Sequence, residues 1–411
     1  MSWQAVRAGL ARTRLTDLDH QLITLNRALL PDIEQYGRKK AVLNLLKTPL
    51  EARTGGELLT FGSCENGLWT RGSDVDGCLV VPGCDSKPLW LSKLRVVSSI
   101  VRRVASKTRP IDKAEGAQPV NSVQLVPWAR VPLAKILDSA GETTLDLSIN
   151  NLAAVENSAL VNLWANIDVR FRILARTVKH WAKRRGINNR AQGTLSTYTL
   201  VLMVVHVLQN RGVLPIFEMI RHEGSRDWKV EGKTWNENAG IIRPLPFETD
   251  AALIRSMTET PSASRPSELL IEFFELFGSD EAKAGFEISE FRPWNDEVVE
   301  DEESEVAEEL SIEAKADETL IVDPKQSSDG TLVMRCPLTG KNVNPMTRQA
   351  WLAMHTEFSR ARSILRQGKS LDEICVEKTA DELAEEEKLK KDKKKGKKTV
   401  EKVKDVVQAT L

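Results

Sequence analysis

Residues 61–76 read Phe-Gly-Ser-Cys-Glu-Asn-Gly-Leu-Trp-Thr-Arg-Gly-Ser-Asp-Val-Asp. The stretch follows an apolar run, Leu58-Leu59-Thr60-Phe61, after the Gly55-Gly56 turn, and leads into a second, Gly77–Val81. Both runs read as strands. Asp74 and Asp76 stand two apart at a strand start, where the period of two aims both carboxylates at one side of the sheet. Further on, Leu145, Leu147 and Ile149 alternate with Thr144, Asp146 and Ser148, so a third carboxylate can approach from a neighbouring strand. Three hard oxygen donors suit two Mg²⁺ or Mn²⁺ ions bridging a triphosphate. Gly62 lets the backbone come close to phosphate oxygens, and Ser63 and Ser73 add hydroxyls on the nucleotide side. An isolated Asp-x-Asp is most often a turn; the Gly-Ser element and Asp146 set this one apart.

Outward from this centre, apolar residues recur at helical spacing from Leu15 to about Leu50 (Leu22, Leu25, Leu29, Ile33). Trp90–Val104 reads as a helix and Val123–Leu133 as a strand, giving an α/β unit of modest size up to about residue 150. Beyond it, Leu160, Leu163, Trp164, Ile167, Phe171, Leu174, Val178 and Trp181 trace one apolar stripe, which predicts a long helix and a mainly helical second unit. The expected divisions are 1–50, an N-terminal helical segment; 51–150, the catalytic unit; 151–368, the helical unit with an acidic connector at 297–317; and 369–411, a charged tail. Trp351, Met354, Phe358, Ala361 and Leu365 mark one more packed helix.

Composition narrows the classes further. The 411 residues suffice for about two or three domains, and 58 basic against 58 acidic residues leave no formal net charge. Five cysteines without CxxC pairs predict a reducing compartment and no zinc site. No apolar stretch reaches the roughly 18 residues needed to cross a bilayer, so no membrane association is expected. Residues 1–15 carry Arg7, Arg12 and Arg14 and no acid, a composition shared by short transit peptides and by ordinary amphipathic helices.

The FGSCENGLWTRGSDVD stretch with Asp146 resembles the DNA polymerase β-like nucleotidyltransferases. Within them, Asn157–Ile187 and Gly193–Met203 (VKHWAKRRGIN, then GTLSTYTLVLM) resemble the central domain of noncanonical poly(A) polymerases and terminal uridylyltransferases. The resemblance implies an α+β fold: a mixed sheet flanked by helices, packed against a mainly helical domain, with the active-site cleft between them. Asp74, Asp76 and Asp146 are then the catalytic metal ligands. Lys179 and Lys183, at i and i+4 on one helix face, clamp the β- and γ-phosphates. Asn157 touches the ribose or base edge, Ser158 supports it, Thr197 contacts phosphate, and Tyr198 stacks on the base.

Ile321-Val322-Asp323-Pro324 and Lys341-Asn342-Val343 partly resemble the nucleotide-recognition stretch of the same family; Lys325 and Gln326 depart from it. Asp323 can accept from uracil N3–H, a donor that cytosine lacks. The compact catalytic half and arginine-bearing start are most similar to the small kinetoplastid mitochondrial uridylyltransferases, particularly those of editosome-like complexes. This implies UTP as substrate, single-stranded RNA 3′ ends as acceptor, a mitochondrial location and partners in a multiprotein RNA-processing complex. Poly(A) addition, or an inactive scaffold subunit, are the alternatives; an inactive subunit is expected to lack an acid, and all three are present. Arg184, Arg185, Arg190 and the lysine run at 388–398 are the candidate RNA-phosphate contacts.

Overall fold

A computed structural model describes residues 12–107, 120–216, 249–257, 262–288 and 325–379, together with Glu382. Asp323, the acidic connector, the lysine run and residues 1–11 lie outside the described residues.

Helices α1 (Arg12–Leu29) and α2 (Ile33–Thr54) precede β1 (Glu57–Phe61) and β2 (Val75–Val80). Then come α3 (Lys87–Lys107), β3 (Ser122–Val126), β4 (Leu133–Leu137) and β5 (Thr143–Ile149). The five strands form one mixed sheet in the order β1-β2-β5-β4-β3, in which only β2 and β5 run parallel. The run Val123–Leu133, expected as one strand, is two: Pro127 and Pro132 bracket a turn, and neither can donate to a ladder.

Side-chain alternation divides the sheet into two faces. Val75, Leu79, Ala134, Ile136, Leu145, Leu147 and Ile149 pack under α2 and α3 with Val42, Leu46, Leu50, Leu94 and Val97. Asp76, Lys135 and Asp146 alternate with these residues and so lie on the opposite face, where Cys78 and Val80 pack against Leu152. Asn150 ends β5 in the left-handed region, φ 48°, and its side chain accepts from Val81 N and donates to the carbonyls of Val81 and Cys84. Asn tolerates that conformation better than other non-glycine residues, and here it ties the ends of β2 and β5 together.

Helices α4 (Leu152–Ile167), α5 (Val169–Arg184), α6 (Thr197–Asn210), α7 (Ala251–Met257), α8 (Pro266–Phe277), α9 (Asp280–Ala284), α10 (Arg348–Arg366) and α11 (Leu371–Ile374) build the second unit. The single long helix read from the apolar stripe breaks at Asp168, an extended residue whose carboxylate accepts from Arg170 N and so caps α5. Trp181 centres this core, with its ring edge-on to Phe274 and Phe358 at 4.8 and 4.9 Å. A small sheet of β6 (Phe286–Ile288), β7 (Lys325–Gln326) and β8 (Val333–Met334) adjoins it.

The N-terminal segment is not a separate unit. Leu15, Leu18 and Leu22 of α1 belong to the helical core, and α2 belongs to the sheet. At the other end Leu371, Ile374 and Cys375 are buried in the helical core, so the packed chain continues past residue 369. Arg185 explains why: its guanidinium is 2% exposed and donates to both oxygens of Glu357 at 2.7 and 3.2 Å, to Glu382 at 3.0 Å and to Val376 O at 2.9 Å. Lys378 adds a second cation 3.2 Å from Glu357. Arg185 is therefore the buried tie that holds the C-terminal segment, not a contact for RNA. Arg184 joins it, donating to Cys375 O and pairing with Glu377.

Removing one partner of such a pair leaves a buried charge short of compensation. Arg185→Met is expected to lower the free energy of unfolding by about 3 kcal/mol, measured by urea denaturation. An unchanged midpoint would show that the tie adds nothing.

Candidate active site

The sheet brings the acids together by register. Asp76 lies opposite Asp146 on the parallel pair β2 and β5, and Phe61 lies opposite Asp76 on β1. The chain leaves β1 at Gly62, φ +70°, in a short 3-10 turn through Cys64. A Cβ at residue 62 would fall 2.1 Å from Asp76 Oδ2, so glycine is required there by its conformation and by the carboxylate beside it.

Burial raises the Asp76 carboxyl from 3.8 to about 7, and Asp146 and Asp74 add to the rise; Lys179 and Lys135 oppose it. Burial likewise raises Asp146, against Lys135. Lys179 is pushed down by burial, with Lys183 and Arg176 in the same direction and Asp76 and Asp74 opposed. Lys179 and the acids are thus close enough for each to act on the other's charge. Asp74 is exposed at the strand start. Ser73 beside it is held by its hydroxyl, 2.9 Å from Thr70 Oγ1, and by its carbonyl, which accepts from the Trp69 indole.

Divalent cations fit this donor set. Carboxylate oxygens are hard ligands, and Asp76 carries a like-charge burden that a cation relieves. Asp74, Asp76 and Asp146 are the residues that would hold the ions. No group of three His, Cys, Asp or Glu among the described residues stands ready-made around a metal position. Asp146 is turned to Lys135, whose ammonium lies 3.1 and 2.8 Å from its two oxygens. Lys135 does not stand out in the sequence. Its only signal there is a lone lysine alternating with apolar Ala134 and Ile136, on what proves to be the strand adjacent to that of Asp146.

Asn157 lies in the second turn of α4, half-buried, and accepts at Oδ1 from the Tyr198 hydroxyl at 3.0 Å. Burial raises the Tyr198 phenol well above its ordinary value, so it stays a donor. Cys336, from the segment after β8, contributes its thiol to the same Oδ1 at 3.4 Å, a contact with no signal in the sequence. Thr197 is exposed in the first turn of α6; the cap itself is Ser196, which accepts from Thr199 N. Lys183 is exposed one turn beyond Lys179.

Two expectations change. Ser158 is buried and its hydroxyl is committed, donating to Ala154 O at 2.7 Å and accepting from Gly62 N at 2.8 Å. It positions the Gly62 turn, with its hydroxyl hydrogen and one lone pair already engaged by the protein. By the same bond Gly62 N–H is spent on Ser158. Arg176, three residues before Lys179, donates to Gly67 O at 2.6 Å and holds the middle of the same loop to α5.

Known proteins are similar to this chain in sequence and in fold. Residues 18–166 match the family described as the mitochondrial-like poly(A) RNA polymerase central palm domain. Over 149 residues the chain is 38% identical to poly(A) RNA polymerase GLD2 of Danio rerio, covering 36% of this chain and 28% of that one. It is 31% identical over 205 residues to poly(A) RNA polymerase cid11 of Schizosaccharomyces pombe, covering 48% and 39%. The chain therefore spans well under half of each of these relatives. The likeness to the noncanonical poly(A) polymerases is therefore one of residues 18–166, the stretch that matches their central palm domain.

Among solved structures, one of Cid1, whose structural plasticity is described as a basis for its RNA terminal uridylyl transferase activity, superposes with a TM-score of 0.60 and 20% identity, covering 89% of this chain and 98% of that one. The GLD-2/RNP-8 complex gives 0.58 at 21% identity, covering 88% and 98%. These likenesses extend the shared α+β fold beyond the palm, through the helical unit.

The raised Asp76 carboxyl has a consequence for stability. Its folded value lies above its unfolded one, so ionising it opposes folding, and the penalty grows as pH rises from about 4 to about 7. In metal-free protein Asp76→Asn should therefore raise Tm most above pH 7, with the gain vanishing towards pH 4. Mg²⁺ added at pH 8 should stabilise the unsubstituted chain and not the variant. A Tm difference independent of pH would contradict the placement of Asp76.

Proposed function

We propose that this protein is a template-independent RNA nucleotidyltransferase that adds nucleotides to RNA 3′ ends, with UTP as the preferred substrate. The observation that carries the transferase reading is the register of Asp76 against Asp146, with the Gly62 turn packed against the Asp76 carboxylate. Two divalent ions held by Asp74, Asp76 and Asp146 would activate the primer hydroxyl and neutralise the departing pyrophosphate.

The chain's own residues do the rest. Lys179, kept close to the acids on α5, and Lys183 one turn further place positive charge along the triphosphate, where charge builds up on the leaving group. Ser158 and Arg176 hold the loop that bounds the phosphates, so the donors stay aligned without reorganisation. Tyr198 offers a ring face for the base, with its hydroxyl fixed on Asn157. Because Asn157 Oδ1 is taken, its Nδ2 is left to donate to an acceptor on the ribose or base edge.

UTP preference rests on the resemblance to uridylyltransferases and on Asp323, whose carboxylate would accept from uracil N3–H. ATP is the second reading, favoured by the names of the relatives, which are poly(A) RNA polymerases. The mitochondrial location and an editosome-like assembly belong to this proposal too, on the likeness of residues 1–15 and of the compact catalytic half.

Incorporation of each of the four ribonucleotides on a single-stranded RNA primer, with Mg²⁺ or Mn²⁺, tests both readings: UMP addition at least about tenfold faster than AMP supports the first, and the reverse order the second. Asp146→Ala should abolish transfer without unfolding the protein. Lys179→Ala should raise KM for the nucleotide about tenfold or more. Normal turnover by Asp146→Ala would remove the carboxylates from the mechanism.

A further inference from the structure

On β4, Ala134 and Ile136 point into the core beneath α2 and α3, which turns Lys135 to the acid face. There it sits in register with Asp146, its ammonium across both carboxylate oxygens, in a pair whose lysine side chain is 34% exposed and whose aspartate side chain is 20% exposed. A cation placed across both oxygens stands where a divalent ion would have to bind. The geometry points to Lys135 as an internal counter-cation that holds Asp146 while no metal is bound and must let go before that carboxylate can ligate one. The inference rests on the reading of Asp74, Asp76 and Asp146 as metal ligands.

The consequence is coupling between nucleotide and metal. Lys135 is exposed enough to swing, and a triphosphate gives its ammonium a new anionic partner as Asp146 is released. Each ligand then makes the other bind more tightly, because both favour the state in which the Lys135–Asp146 pair is open. Without nucleotide, the metal must compete with a tethered lysine. With nucleotide, it need not.

Mn²⁺ binding to the full chain, read from the electron paramagnetic resonance signal of the free ion, tests this without RNA or turnover. Lys135→Met is expected to bind Mn²⁺ roughly three- to tenfold more tightly than the unsubstituted protein when no nucleotide is present. A non-hydrolysable α,β-imido analogue of UTP or ATP should tighten Mn²⁺ binding in the unsubstituted protein and much less in Lys135→Met. Lys135→Arg, which keeps the cation, should behave as the unsubstituted protein does, and Asp146→Asn added to Lys135→Met should erase the gain. Equal or weaker Mn²⁺ binding by a folded Lys135→Met overturns the inference while leaving the metal ligands in place. Failure of the unsubstituted protein to bind Mn²⁺ even with the analogue overturns both.

Discussion

The structure turns on a repulsion that the fold does not resolve by itself. Two parallel strands, β2 and β5, set Asp76 and Asp146 side by side, and the core beneath them removes much of the water that would screen the pair. Desolvation and like charge act in the same direction, and Asp76 rises to about 7. A polypeptide selected for stability alone would place a neutral pair at this register. Its compensation is electrostatic: Lys135 on the neighbouring strand, Lys179 on the facing helix and, if the acids act as proposed, two metal ions.

The helical unit works as the second half of that compensation. Helix α4 starts immediately after β5 and runs back along the acid face, which is how Ser158 comes to accept from Gly62 N. Helix α5 then lies where Arg176 can hold Gly67 and Lys179 can face Asp76. Leu29 O, at the end of α1, accepts from Arg71 N and fixes the far end of the same loop. The loop from Gly62 to Ser73 is therefore held at three points, Gly62, Gly67 and Arg71, by elements of the helical unit. Geometry at the acids depends on the packing of Trp164, Phe171 and Trp181 as much as on the sheet.

Much of this was legible in the sequence because period-two alternation and the Gly-Ser spacing speak directly about local backbone. Asp74 just before β2, Asp76 on it, Asp146 on β5, and the i, i+4 relation of Lys179 and Lys183 needed no tertiary information. The failures share a cause. The long apolar stripe hid the break at Asp168, because hydrophobic phase continues across a kink that a capping carboxylate creates. The turn between β3 and β4 was marked by Pro127 and Pro132, and the apolar residues around them outweighed that signal. Arg185 looked like surface charge, since its partners Glu357 and Glu382 are 172 and 197 positions away in the chain. Lys135 and Cys336 acquire meaning only through the strand order and through the segment after β8, neither of which has a local signature.

Crystals grown with Mn²⁺ and a non-hydrolysable nucleoside triphosphate would test the central claim most directly, through the anomalous signal of manganese. Two peaks about 4 Å apart are expected, bounded by Asp74, Asp76 and Asp146. No manganese at these carboxylates, or a single ion bound only by phosphate with Asp146 still on Lys135, would contradict the assignment of the three acids as the metal site.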